Sequence, residues 1–130
     1  MSYAYDDQNV FAKILRGEIP NKTVLETEHS LAFHDIQPAK PVHVLVIPKG
    51  PYVNYDHFVA EASDAEITDF FRAVGQVARE MKVAEAAGGS GFRVLSNCGP
   101  DGFQEVPHLH IHVFGGSHCG PMIKRDEPTA

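Results

Sequence analysis

The sequence predicts an α+β domain with a mostly antiparallel sheet, and three observations carry that expectation. One long stripe of apolar residues recurs at helical spacing over residues 63–81. Several short segments instead alternate or concentrate β-formers in the manner of strands. Their order along the chain is helix, hairpin, strand, long helix, strand, loop, strand.

In chain order, "NVFAKILRGEIP" reads as a short helix. Asn9 is its cap, Phe11, Ile14 and Leu15 its apolar face, and Gly17 with Pro20 its stop. "TVLE" and "SLAFHD" are strand-like pieces joined by "TEH", which predicts a hairpin. "PVHVLVIPKG" is the strongest core strand, bounded by Pro41 and Pro48, and His43 is its conspicuous polar side chain. Residues 51–62 read as a loop or a short helical turn. Ser63-Asp64-Ala65-Glu66 then matches a capping box. Ile67, Phe70, Phe71, Val74, Val77, Ala78 and Met81 continue it as one stripe, a helix of about five turns packed on the sheet. "AAGGSG" ends the helical region, "FRVLSN" resumes strand character, and "CGPDGFQEVP" is a polar loop leading into "HLHIHVFGG". One long helix can cover only one face of such a sheet, which leaves the other face free to line a groove.

Composition narrows the function. A chain of 130 residues with 43% apolar content fits one domain with a real core, residues 1–130. A net charge of -6 argues against a protein that coats nucleic acid, which needs a basic stripe, but not against a nucleotide substrate. Cys98 and Cys119 are the two cysteines and form no CxxC pair, so neither a disulfide framework nor a zinc ribbon is indicated. No apolar run approaches the roughly 20 residues of a membrane span, and "MSYAYDDQNV" lacks the regions of a signal peptide. The expectation is a cytoplasmic domain with no membrane partner.

Eight histidines are present. His29 in a turn and His57 in a loop read as solvated surface residues, and His118 beside Cys119 is at most a weak metal pair. His108, His110 and His112 alternate with Leu109, Ile111 and Val113, so a strand would place all three imidazoles on one face. Their anchors would stand roughly 6.6 Å apart. Two chemistries fit this pattern. Imidazole nitrogens bind zinc at about 2.0–2.1 Å, and alternate strand histidines can share an ion. Alternatively, one neutral imidazole can attack phosphorus while its neighbours and backbone amides steady the anionic oxygens. Gly99, Gly102, Asn97 and Gln104 in the preceding loop offer close approach and neutral donors. Local physics leaves these two readings level.

The run His108-Leu109-His110-Ile111-His112-Val113-Phe114 resembles the signature of the histidine triad (HIT) family. The likeness extends to "NVFAKILRGEIPNKTVLETEHSLAFHDIQPAKPVHVLVIPK" and "FRVLSNCGPDGFQEVPHLHIHVFGG", which resemble the two halves of its Hint branch. It implies a five-stranded antiparallel sheet with one long and one short helix, flanked by an N-terminal extension (1–8) and a C-terminal tail (117–130). It also implies a homodimer joined across the long helix and the strand near Phe92. The implied activity is hydrolysis of purine nucleoside phosphoramidates, with His110 as the nucleophile that becomes nucleotidylated. His112 and His43 would contact phosphate or position the nucleophile, and His108 would support the nucleophile strand while a backbone carbonyl there fixes the His110 tautomer. Asn97 would touch ribose or phosphate, the Gln104 region would hold phosphate oxygens, and Asp35 would bind the ribose hydroxyls. Phe11, Ile14, Phe33, His34, Ile36 and Leu45 would wall the base pocket. No cofactor or metal is required, and zinc binding by the histidines is not favoured.

Three departures stand out. Glu105 occupies a position where many Hint proteins carry a serine that assists the leaving group, so it is a candidate catalytic residue of altered character. Pro51 stands where some relatives have another histidine. The tail "GPMIKRDEPTA" differs from that of animal relatives. Two rival readings are a diadenosine polyphosphate hydrolase and a nucleotide- or zinc-binding regulatory module with little turnover.

Overall fold

The computed structural model describes residues 2–127, so the outer ends of the N-terminal extension and the C-terminal tail, residue 1 and residues 128–130, lie outside the described residues. The elements are helix α1 (Val10–Leu15), strands β1 (Thr23–Glu26), β2 (Ser30–His34) and β3 (Val42–Pro48), helices α2 (Tyr55–Glu61) and α3 (Asp64–Glu80), and strands β4 (Phe92–Leu95) and β5 (Ile111–Gly115). The five strands form one sheet in the order β1-β2-β3-β5-β4, and every neighbouring pair is antiparallel. This is the expected five-stranded architecture. Among the described residues no helix is long and apolar enough to cross a membrane.

Period-two alternation gives the sheet two dissimilar faces, because successive side chains point to opposite sides. On one face Ala32, Val44, Val46, Leu109, Ile111 and Val113 pack against Phe70, Ala73, Val74 and Val77 of α3. That helix begins as the sequence predicts: Ser63 Oγ accepts the Glu66 amide at 3.2 Å, and Glu66 Oε1 accepts the Ser63 amide at 3.1 Å. On the other face Leu31, Phe33, Leu45 and Ile47 pack against Phe11 of α1, with Ile14 and Leu15 alongside. The short α1 covers only part of this face. The part left beside it is the histidine end of β3 and β5.

Three local differences from the sequence reading have physical reasons, and one open reading is decided. Residues 51–62, read as a loop or a short helical turn, hold a two-turn helix capped by Asn54, whose side chain accepts the His57 amide. His57 is therefore buried instead of solvated: Nδ1 accepts the Val53 amide at 2.9 Å, and Nε2 lies 3.0 Å from Glu61. Phe71, counted in the α3 stripe, is 39% exposed and meets Tyr55 edge-on. Lastly, β5 enters the ladder only at Ile111, so His110 lies just before it and His108 in the bend that precedes, where its amide donates to the Val106 carbonyl at 2.8 Å. That segment is held by the Leu109 amide, which donates to the Tyr52 carbonyl at 2.9 Å.

Candidate active site

The site forms where β3 and β5 lie side by side. Their register pairs Leu45 with His112 and His43 with Phe114, so His43 and His112 are diagonal neighbours on one face. His110 reaches the same side two residues earlier. Its ring meets His112 at 5.1 Å between centroids and Phe11 at 4.9 Å. Phe11, in the first turn of α1, thus braces the middle histidine.

Hydrogen bonds assign a tautomer to each ring, since a carbonyl can only accept and a backbone N–H can only donate. His110 Nδ1 lies 2.8 Å from the His108 carbonyl, so Nδ1 carries the proton and Nε2 keeps a free lone pair. His43 Nδ1 accepts the Ala39 amide at 3.0 Å, so its proton is on Nε2. That Nε2 stands 2.9 Å from His112 Nδ1 and 3.4 Å from Asp35 Oδ2. His112 Nδ1 consequently accepts, and its Nε2 becomes an N–H donor. His108 is wholly buried, with Nε2 2.8 Å from the Pro48 carbonyl and Nδ1 2.6 Å from the Tyr5 hydroxyl. The site presents one nucleophilic nitrogen, on His110, beside one donor, on His112.

Burial keeps these rings neutral. It pushes His112 down to about 4, with His110 and His43 adding to the effect. It also pushes His108 down to about 4. His110 is lowered by burial as well, against the opposing pull of its bond to the His108 carbonyl and of the Asp35 and Glu105 charges. His43 is lowered by burial, opposed by Asp35. A neutral His110 is the nucleophilic form.

The same depression sets a pH dependence of stability. The unfolded chain protonates these histidines near pH 6.5, whereas the fold resists until a lower pH. Their contribution is complete above about pH 6.5 and is lost as pH falls from there toward about 4. Each contributes a slope of up to about 1.4 kcal/mol per pH unit. Urea unfolding at pH 7.5, 6 and 5 should show stability dropping steadily, and equal midpoints at all three would refute the assignment of neutral buried rings.

Several other sequence candidates gather here, and some do not. Phe11, Phe33 and Leu45 are buried and form the packed floor beneath the imidazoles, with Ile14 half-buried at its edge. Asp35 reaches His43, while Ile36 beside it is 96% exposed. His34 pairs with Val44 in the ladder, which puts it on the α3 face, away from the imidazoles and from the base wall expected of it. Asn97 lies two residues beyond Leu95, which pairs with His112, and so extends toward His110. Gln104 is occupied otherwise than expected: Nε2 donates to the Val53 and Val106 carbonyls at 2.7 and 3.0 Å, and Oε1 accepts the Gly99 amide. No side-chain donor of Gln104 is left for phosphate, and the residue instead braces the loop before His108. Glu105 is exposed at the site's edge.

Two contributing residues had no signal in the sequence. Ser96 Oγ donates to the His110 carbonyl at 2.9 Å, and Tyr5 reaches His108 from the N-terminal segment. The Asp35, His43 and His112 ligand atoms all lie within 4.8 Å of one another, a donor set that suits zinc. Metal binding there would move the His43 proton from Nε2 to Nδ1, at the cost of both the His43–His112 hydrogen bond and the bond that Nδ1 accepts from the Ala39 amide.

Comparison with known proteins gives a consistent picture. The model of the HIT domain matches residues 16–119. An uncharacterized 13.2 kDa HIT-like protein of Azospirillum brasilense is 63% identical over 125 residues, covering 96% of this chain and 99% of that protein. A 14 kDa zinc-binding protein of Zea mays is 39% identical, covering 85% of this chain and 84% of its own. Among solved structures, a HIT family hydrolase from Clostridium thermocellum superposes with a TM-score of 0.76 at 38% identity, covering 92% of this chain and 99% of that one.

Proposed function

The chain belongs to the HIT family, and from that premise we propose that it hydrolyses purine nucleoside 5'-phosphoramidates through a nucleotidyl-histidine. The observation that carries this reading is the tautomer set: His110 Nε2 has a free lone pair, and its neighbour His112 offers an N–H. His110 Nε2 attacks the α-phosphorus, the P–N bond to the amine breaks, and the departing nitrogen takes a proton from solvent water at the rim. The His112 N–H steadies the phosphoryl oxygens as charge gathers on them. Water then cleaves the N–P bond to release the nucleoside monophosphate and restore His110. Glu105, at the rim, exchanges protons with the leaving amine. Asp35 takes the ribose hydroxyls, and Asn97 the ribose or a phosphate oxygen. No cofactor enters these steps.

Mixing the protein with an adenosine phosphoramidate and quenching in acid tests the proposal. The expected result is a protein mass increased by one adenylyl group, with AMP accumulating over many turnovers. An unaltered mass and no AMP would sink it. If a diadenosine polyphosphate yields AMP faster than the phosphoramidate does, the neighbouring hydrolase reading replaces this one.

The cluster of one carboxylate and two imidazoles favours one rival. Asp35, His43 and His112 would hold a zinc ion, whose charge would draw phosphate oxygens and make the protein a metal-dependent binding module. Full activity in chelator, without stoichiometric metal, discards that rival.

The enzyme also acts as a homodimer in this reading. Edge strand β4 exposes Phe92 and Val94 on the α3 side of the sheet, and α3 exposes Phe71, apolar surface suited to a second copy. Light scattering should return twice the 14.3 kDa chain mass. The free Cys98 and Cys119 accord with a cytoplasmic setting.

A further inference from the structure

We propose that Tyr5 is a positioning residue for the nucleophile, acting through His108 from a segment outside the matched HIT domain, which begins at residue 16. The inference rests on the nucleotidyl-transfer reading of His110 given above.

The hydrogen-bond chain has a single consistent direction. His108 Nε2 faces the Pro48 carbonyl at 2.8 Å, so it must carry the ring proton. A neutral ring then has a bare lone pair on Nδ1, and burial holds this ring neutral. Tyr5 Oη is 2.6 Å from that lone pair and keeps its proton at neutral pH, since burial raises it. Tyr5 therefore donates. Without the hydroxyl, a buried nitrogen would have no partner, and the ring would be released at one of its two edges.

The same residue supplies the next link. The carbonyl of His108 accepts from His110 Nδ1 at 2.8 Å and leaves His110 Nε2 free to attack. Ring and carbonyl belong to one residue, so a ring pinned at Pro48 and Tyr5 restrains the carbonyl that aims the nucleophile. The N-terminal segment is anchored for this task at more than one point. Tyr3 stacks on His57 at 5.1 Å between centroids, and Asn9 caps the helix whose Phe11 braces His110. Tyr5 also packs edge-on against His108 at 5.6 Å, an arrangement that phenylalanine can keep.

The test is Tyr5→Phe in the full chain, which removes the hydroxyl and spares the ring packing. A positioning role predicts a kcat, and a rate of adduct formation, lower by about tenfold, because small misalignment of a reacting group is costly. KM should stay within about twofold, as Tyr5 does not touch the substrate. Nitrogen-15 NMR of the imidazoles supplies a readout independent of turnover. In the wild type His108 should be protonated on Nε2 alone and His110 on Nδ1 alone, and in Tyr5→Phe the His110 pattern should become mixed. Unchanged His110 nitrogen signals would overturn the proposal whether or not the protein cleaves phosphoramidates. An unchanged kcat in an active enzyme would overturn it equally. A wild type inactive on phosphoramidates refutes the functional reading alone, and the NMR comparison then decides the role of Tyr5.

Discussion

Replacing His110 with alanine should eliminate the trapped nucleotidyl adduct and lower kcat/KM by at least about a thousandfold, the scale on which covalent catalysts lose their nucleophile. The reason is specific to this ring. His108 is consumed by Pro48 and Tyr5, and His43 by Ala39 and His112. His112 uses Nδ1 as an acceptor and has only an N–H left to offer. None of the three presents a lone pair to take over the attack. The fold should survive, because the sheet register and the α3 core do not depend on this side chain. On the α1 side, alanine forgoes the edge-on packing of the imidazole against Phe11 at 4.9 Å. Circular dichroism and adduct mass together check the result. A variant that still gains an adenylyl group and turns over at the wild-type rate would move the nucleophile elsewhere.

The chain announces some parts of this arrangement and conceals others, and the difference is physical. Helix α3 is legible because its periodic stripe runs long enough to define a face and its capping box marks the start. Strand β3 is legible because both faces are buried and its residues are nearly all apolar. The alternating histidines declare a shared side by stereochemistry alone. What alternation cannot give is the partner of each nitrogen. The His43–His112 pair depends on strands 69 residues apart in sequence meeting in one register. Gln104 illustrates the converse: a neutral donor in a glycine-rich loop reads as a phosphate ligand, yet nearby carbonyls have claimed both its protons. His34 fails for a simpler reason, since a shift of one position along β2 exchanges one face of the sheet for the other.

Helix α2 is the element the sequence leaves most ambiguous, between loop and helical turn, and it yields the strongest expectation for stability. Seven residues are too few for a periodic stripe to show, and a helix so short persists only through its packing. Phe58 supplies that packing. It is fully buried, with its ring edge-on to Tyr52 at 5.1 Å and to Phe70 of α3 at 5.1 Å. Phe58→Ala should cost about 3–5 kcal/mol, the usual range for emptying a buried phenylalanine site. That is a large share of the roughly 5–15 kcal/mol that holds a domain folded. Val59→Ala on the exposed side of the same helix should change stability by less than about 0.5 kcal/mol. Urea denaturation of the two variants measures the contrast, and a Phe58→Ala destabilisation below about 1 kcal/mol would show that α2 is not part of the core. The loosening should also reach the site. His57 on α2 accepts the Val53 amide, and Gln104 donates to the Val53 carbonyl, so the loop before His108 is tied to this helix. Turnover in Phe58→Ala should therefore fall at temperatures where the variant is still folded, while exposed Val59→Ala leaves it unchanged.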